Sequence, residues 1–439
     1  MMKLKIGIID ISSAFTQSEL VSPEQRILIT HPWYVPLPFL GKIDTTRDKH
    51  ALPTHALLTL RPLYGTSDAP IRWFASISMQ FKKCGWVQLE CDPCVYRYAS
   101  DSTLHALAAL HVDDILVAAT KVGWTRFQLA IDGYRNSGIK MLVEAEDLQY
   151  LGLDIGIGGN ILFLSRESYV ANKLYAVDEK SLFKRCGAMI NEPERKTTCK
   201  KLIGSLLRVI QTRPELCRKI SVLASDIVSS IVDPGEFIRW IRRGNKMVLQ
   251  LKKEPYRIYF RSPLPWVPET TSELASSIQI FAFCDASFGS MRNNGSIESA
   301  FIVVGRVKFR NGDLSCQGCY IDSCARKIHR VCRSSLGAEA VALGNCADLS
   351  VWIRVLLVEM IQGQFFKELV GPSAQFKLLI PFGKAPSAEA VFSEMFGSED
   401  RPIRIFDVRA EAKDTEKVRK SNAPLVKTPI IYSHGADYW

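Results

Sequence analysis

The sequence predicts a multidomain protein of mixed helix and strand, α+β in its first part and α/β in its last. Three observations predict it. An apolar run at residues 5–9 and two more at 105–112 and 115–119, rich in Leu, Val, Ile and Ala, read as strands. Residues 200–209 and 214–232 place apolar side chains three and four apart, as helices do. A stretch rich in Pro, Ser and Thr, 261–277, then precedes a second succession of strand, hairpin and helix. A chain of 439 residues can bury more than one core.

Taken in order, the first strand ends at Asp10. A helix begins near Ala69-Pro70, where proline suits the first turn, and runs through Trp73, Phe74, Ile77 and Phe81. The next two strands meet at His111-Val112-Asp113-Asp114, with the carboxylates at a hairpin tip. Tight tips favour Asn-Gly or Asp-Gly, because the backbone needs positive φ there. Asp-Asp turns poorly and adds like-charge repulsion, so a divalent cation is a natural compensation. Mg²⁺ takes carboxylate oxygens and leaves room for substrate phosphates. From the tetrapeptide alone, a solvated turn is an equally good reading. Asp10 supplies a third carboxylate. The set suits two-metal phosphoryl transfer, in which one ion activates the attacking 3′-hydroxyl and the other stabilises the leaving pyrophosphate. A second helix over residues 126–137 and a strand over 149–157 complete the mixed unit 1–155.

Residues 156–260 read as mostly helical. Lys200, Lys201, Arg208, Arg218 and Lys219 fill the positions between the apolar ones. They make either a solvated face or one that contacts phosphates. Residues 261–277 read as a linker. A strand over 278–284 ends at Asp285, and 297–309 and 314–321 form a hairpin around Asn311-Gly312. Ser335 caps a long helix reaching about residue 360, with Glu339 in its first turn and Asp348 and Glu359 solvated.

The formal charge of +11 and pI near 9.0 point to a polyanionic partner. No apolar run approaches the roughly 18–20 residues that span a bilayer, and the start lacks a signal-like apolar stretch, so no membrane is expected. Twelve cysteines without such a signal predict reduced thiols in an intracellular protein. Cys91-x-x-Cys94 has no second pair nearby. Cys316, Cys319, Cys324 and His329 have ligand-like spacing, but ordinary thiols are the better reading.

The ordered motifs carry a resemblance. They are Asp10 with Ala14-Phe15, Leu63-Tyr64-Gly65 through Ala69-Pro70 to Trp73, Cys91-Asp92-Pro93-Cys94-Val95-Tyr96 and His111-Val112-Asp113-Asp114. Leu148-x-Tyr150-Leu151-Gly152, Leu164-Ser165-x-x-x-Tyr169, Ile203-Gly204-Ser205-Leu206 and Thr212-Arg213-Pro214-Glu215 follow. In this order they resemble the reverse transcriptase of Ty1/copia-type retrotransposon Pol polyproteins. Asp285-Ala286-Ser287 and the run from Arg333 to Ala340 resemble that family's ribonuclease H region. The resemblance implies a polymerase palm over 1–155 and a helical thumb-like region over 156–260. It also implies a ribonuclease H-like α/β domain over 278–439 with a divergent C-terminal part.

The same resemblance implies RNA-directed DNA polymerisation with linked cleavage of RNA–DNA hybrid. It makes Asp10, Asp113 and Asp114 catalytic and Mg²⁺-binding (or Mn²⁺-binding), with Asp285 and Glu339 as a second set and Asp407 as a displaced third member. Phe15 would exclude a 2′-hydroxyl, and Gly65 would let backbone approach the nucleotide. Tyr64 and Trp73 read better as packing residues. The implied partners are an RNA template, a DNA primer, RNA–DNA hybrid and deoxynucleoside triphosphates. The implied setting is transposition and DNA integration, in the cytoplasm, where it can be particle-associated, and in the nucleus. The chain departs from the family in having His111 where Tyr is usual and Asp10 close to the start, so that fingers are expected to be missing. A truncated, inactive nucleic-acid-binding remnant is therefore the alternative. A cellular nuclease built on the last domain alone leaves the motifs before residue 215 unexplained.

Overall fold

The computed structural model describes residues 4–20, 28–30, 56–58, 60–143, 146–158, 161–185, 190–260, 279–291, 294–310, 313–363, 376–379 and 428–432. The architecture is mixed helix and sheet, and it divides into two compact units, residues 2–141 and 142–439.

In the first unit the elements are β1 (Lys5–Asp10), β2 (Leu28–Thr30), β3 (Ala56–Leu58), α1 (Ala69–Lys83), β4 (Val87–Gln88) and β5 (Val95–Ser100). They are followed by β6 (Thr103–His111), β7 (Asp114–Ala119), α2 (Lys121–Ile131) and β8 (Lys140–Met141). Six strands form an antiparallel sheet in the order β4-β5-β6-β7-β1-β8, while β2 pairs with β3. Alternation sets the inward face: Leu104, Ala106, Ala108 and Leu110 of β6, and Ile115, Val117 and Ala119 of β7, are buried. Trp73, Ile77 and Phe81 of α1 and Phe127 and Ala130 of α2 share that core.

The first helix begins at Ala69-Pro70 as expected. The second runs over Lys121–Ile131, earlier than 126–137, because the Thr120 hydroxyl accepts the Gly123 N–H at 3.3 Å and caps it there. Gly123 is required by close approach. A Cβ at this position would lie 2.4 Å from the His105 carbonyl oxygen and 2.8 Å from Ala106 Cβ. Gly123→Ala should push α2 off the sheet and destabilise the unit by about 1–3 kcal/mol, read as a lower urea midpoint. An unchanged midpoint would contradict this packing.

In the second unit come β9 (Leu148–Tyr150), β10 (Leu153–Gly158), β11 (Ile161–Ser165), α3 (Glu167–Asn172), α4 (Glu179–Arg185) and α5 (Glu192–Leu207). They are followed by α6 (Cys217–Ser225), α7 (Ile227–Val232), α8 (Pro234–Lys253) and β12 (Arg257–Phe260). The strand expected over 149–157 is thus two strands. It pairs in a separate antiparallel sheet, β12-β11-β10-β9, not with the sheet that carries the aspartates. The division into compact units falls at 141/142.

Buried Asp154 ties β10 to its neighbours by accepting from Gln149 Nε2 (3.1 Å), the Ser168 N–H (2.9 Å) and the Ser165 hydroxyl (3.4 Å). The helix expected from 200 starts earlier, at Glu192, because Asn191 caps it through the Glu194 N–H. The run 214–232 is a short 3₁₀ turn followed by α6 and α7, broken at Asp226. Leu202, Ile220, Phe237, Trp240 and Ile241 make the helical core.

The last elements are β13 (Gln279–Ser287), β14 (Ile297–Arg310), β15 (Asp313–Lys327), α9 (Ser335–Gln362), β16 (Phe376–Leu379) and β17 (Thr428–Tyr432). The sheet order is β15-β14-β13-β17-β16; the first three strands are antiparallel and the last two join in parallel. Asp285 lies inside β13, not at its end. Ser334, not Ser335, caps α9 by accepting the Gly337 N–H at 3.1 Å, so Glu339 falls in the second turn. Glu359, expected solvated, is buried.

α9 bears on the expectation that no apolar run approaches bilayer-spanning length, since by length and composition alone it is long and apolar enough to cross a membrane. Its 28 residues include an 18-residue window of mean hydropathy 1.6. The composition has a packing reason: Cys346 and Ile353 sit against Ile280, Ala282 and Ile302 of the sheet. Cys319 and Cys324 lie along β15, and among the described residues no three His, Cys, Asp or Glu side chains are grouped to hold a metal. Among the described residues no disulfide is formed. The linker 261–277, the tip Asn311-Gly312 and Asp407 lie outside the described residues.

Candidate active site

β1 and β7 run antiparallel with Asp10 directly opposite Asp114. Like charges facing across a ladder are destabilising, and Asp113 adds a third at the adjoining turn. Burial raises the Asp114 pKa, and the Asp113 and Asp10 carboxylates raise it further, with His111 opposing. Asp10 is exposed, and Asp113 and Asp114 are half-buried. No ion pair joins any of the three to a Lys, Arg or His among the described residues.

The hairpin turns on Val112 and Asp113, with His111 opposite Asp114. Positive φ falls on Val112 (55°) and not on either aspartate. For a β-branched residue this backbone is strained, at about 1–3 kcal/mol. Two hydrogen bonds hold it: Trp73 Nε1 donates to the Val112 carbonyl at 2.5 Å, and the Ile11 N–H donates to the Asp113 carbonyl at 2.8 Å. Trp73 is therefore buried packing, as expected, and also a clamp on the tip. Nothing in the sequence signalled the clamp, since a tryptophan at helical spacing reads as core. Val112→Gly should stabilise the protein by about 0.5–1 kcal/mol in thermal or urea unfolding, because strain relief outweighs the added unfolded-state freedom. A lower midpoint would show that the turn is unstrained.

Phe15 is 9% exposed and belongs to the core beside Ile11 and Ala14. Its ring meets Tyr64 with centroids 4.5 Å apart. Tyr64 was expected to be packing, yet it is 55% exposed. Partial burial raises its phenol pKa, and Asp113 and Asp10 raise it further, so the ring stands beside the acidic cluster. Gly65 follows with φ +97° and, among the described residues, no atom within 4 Å of where a Cβ would stand. The turn there requires glycine.

The donor set suits a hard divalent cation: oxygen ligands only, excess negative charge, and no protein cation among the described residues to neutralise it. The carboxylates lie within electrostatic reach of each other, but they are not drawn together as a closed ligand triad.

The second predicted set is only partly assembled. Buried Glu339 accepts the Ala286 N–H at 3.1 Å, which puts it beside Asp285 on the neighbouring strand. Hydrogen bonding to Cys346 and burial push the Cys284 thiol up, and the Glu339 and Asp285 carboxylates add to this. Burial lowers the Arg218 pKa while Asp285 opposes the shift, so a cation already faces this pair. Lys200, Lys201, Arg208 and Lys219 are exposed, whereas Arg218 is half-buried and donates to the Ser287 hydroxyl at 3.2 Å.

In sequence the chain is similar to retroelement Pol proteins. It is 23% identical over 259 residues, 55% of its length, to the retrovirus-related Pol polyprotein from transposon TNT 1-94 of Nicotiana tabacum. The match spans 18% of that relative's own length. No family model matches the chain. A foamy viral protease-reverse transcriptase, solved in complex with RNA/DNA hybrid, aligns over 91% of this chain and 42% of its own. Its TM-score is 0.40 and its identity 10%, a likeness too slight to bear on chemistry.

Proposed function

We propose that the chain carries the polymerase palm of a Ty1/copia-type reverse transcriptase, with residues 156–260 as its thumb-like region and 278–439 as a ribonuclease H-like domain. The observation that carries the reading is the register of Asp10 against Asp114, with Asp113 on the strained turn beside them and the Phe15–Tyr64 ring pair alongside. A strained, clamped turn at a charged site suits a group that must be held in one place. Asp10, Asp113 and Asp114 would hold Mg²⁺ or Mn²⁺, which when bound supplies a Lewis acid for the 3′-hydroxyl and the leaving pyrophosphate. The chain's own contribution is positional. Trp73 and Ile11 fix the tip, β1 fixes Asp10 opposite it, and Phe15 fills the space a ribose 2′-hydroxyl would need. The exposed Lys200, Lys201, Arg208 and Lys219 suit phosphate contacts along RNA template and DNA primer.

A ribonuclease H-like reading of the last domain is supported by three antiparallel strands joined in parallel to two more, with α9 packed on β13 and β14. Two features run against activity there: Arg218 faces Asp285, and one Glu339 oxygen is engaged by backbone.

The second reading is a nucleic-acid-binding remnant without catalysis, and the unconverged carboxylates favour it. Primer extension separates the two. The purified protein with a DNA primer on an RNA template, deoxynucleoside triphosphates and Mg²⁺ should add nucleotides, and chelation by EDTA should stop it. No extension together with salt-sensitive hybrid binding would establish the remnant.

A further inference from the structure

We propose that the cavity between α3 and the C-terminal end of α8 is a binding site for an amphipathic organic anion: a carboxylate, sulfonate or phosphate on an apolar body. The cavity lies wholly within the second unit and holds about 410 Å³, within the usual range for small-molecule sites. Its walls are apolar at Val170, Ala171 and Leu251.

Its charge is unbalanced toward the positive. The two lining carboxylates are both engaged. Glu167 forms a two-pronged pair with Arg257 at 2.9 and 3.0 Å, and Glu254 faces Arg213 at 3.8 Å. Arg213 is further neutralised by Glu215 and stacks over Tyr256, 5.2 Å from the ring centroid.

Among the described residues Arg166 forms no ion pair. It is 8% exposed, and its guanidinium donates only to neutral acceptors, the Gly152 carbonyl at 3.2 Å and the Gln211 side-chain oxygen at 2.5 Å. Its Nε–H finds no acceptor among the described residues. Burial lowers its pKa, and Arg208 adds like-charge repulsion. Asp154 attracts it from nearby but forms no ion pair with it among the described residues, and accepts instead from Gln149, Ser165 and Ser168. A buried charge without a directly paired counter-ion is costly. An anion seated in the cavity offsets that cost while its apolar body covers the wall. Exposed Lys252 on the rim, in no ion pair among the described residues, adds attraction. The site lies within the region 156–260 proposed as thumb-like but is lined by none of the aspartates, Phe15, Gly65 or the exposed Lys200, Lys201, Arg208 and Lys219 of that reading.

Anilinonaphthalene sulfonate is a suitable probe, because it joins one anion to an apolar body and fluoresces when desolvated. The full chain should bind it saturably, and neutral anilinonaphthalene several-fold more weakly. Ala171→Trp, at an exposed wall position, should fill the cavity and weaken binding at least about tenfold. Lys252→Glu should weaken it about threefold or more, with the effect shrinking in high salt. Both variants should keep the wild-type circular dichroism and melting. Wild-type affinity in Ala171→Trp would show that the dye sits elsewhere and overturn the site. Equal affinity for the neutral compound, with no effect of Lys252→Glu, would overturn the anion.

Discussion

Asp113→Asn is expected to lower Mg²⁺-dependent primer extension at least about 100-fold. The exchange removes one negative charge with almost no change in volume. The turn should survive it, because Ile11 and Trp73 grip the backbone carbonyls of Asp113 and Val112, not the side chain. Folding should be unharmed or slightly favoured. Burial, and after it repulsion from Asp113 and Asp10, holds the Asp114 carboxyl above its usual range, so deleting one charge relieves the others. Loss of activity with an unchanged or higher melting temperature is therefore the specific signature. Undiminished extension at saturating Mg²⁺ would remove Asp113 from the chemistry.

The second large effect is on substrate choice. Phe15→Ala should reduce the preference for deoxy- over ribonucleotides at least about tenfold. Phe15 sits at the edge of the core and presents its ring to exposed Tyr64, so it is a packing residue and, on the proposed reading, also a wall of the site. Truncation will also cost stability, on the order of 3–5 kcal/mol for a well-buried phenylalanine. The ratio of the two nucleotides, measured on one preparation, is insensitive to the folded fraction and isolates the gate. An unchanged ratio would leave Phe15 as core alone.

Much of the first unit was legible because its signals are local. Alternation marked β6 and β7, proline marked the start of α1, and Asp10 and the Asp pair stood out at the ends of apolar runs. What was hidden depends on contacts distant in sequence. Only pairing with β11, which pairs in turn with β12, assigns β10 to a separate sheet. The tip needed positive φ, but the residue that takes it is Val112, the least suited by propensity, and the clamp on it comes from Trp73. Helix starts slipped where a cap outranked periodicity, as at Thr120, Asn191 and Ser334. Glu359 looked solvated because a carboxylate on a long helix usually is, and the packing of α9 overrides that habit.

The central claim is that Asp10, Asp113 and Asp114 together hold a divalent cation. Mn²⁺ binding tests it most directly, because the paramagnetic resonance signal of the free ion disappears on coordination and no turnover is needed. The purified protein should take up Mn²⁺ at a site from which Mg²⁺ displaces it. Asp10→Asn and Asp113→Asn should each abolish that uptake while the melting temperature holds or rises. Mn²⁺ uptake that is absent from the wild type, or that in both variants equals the wild type's, would contradict the claim.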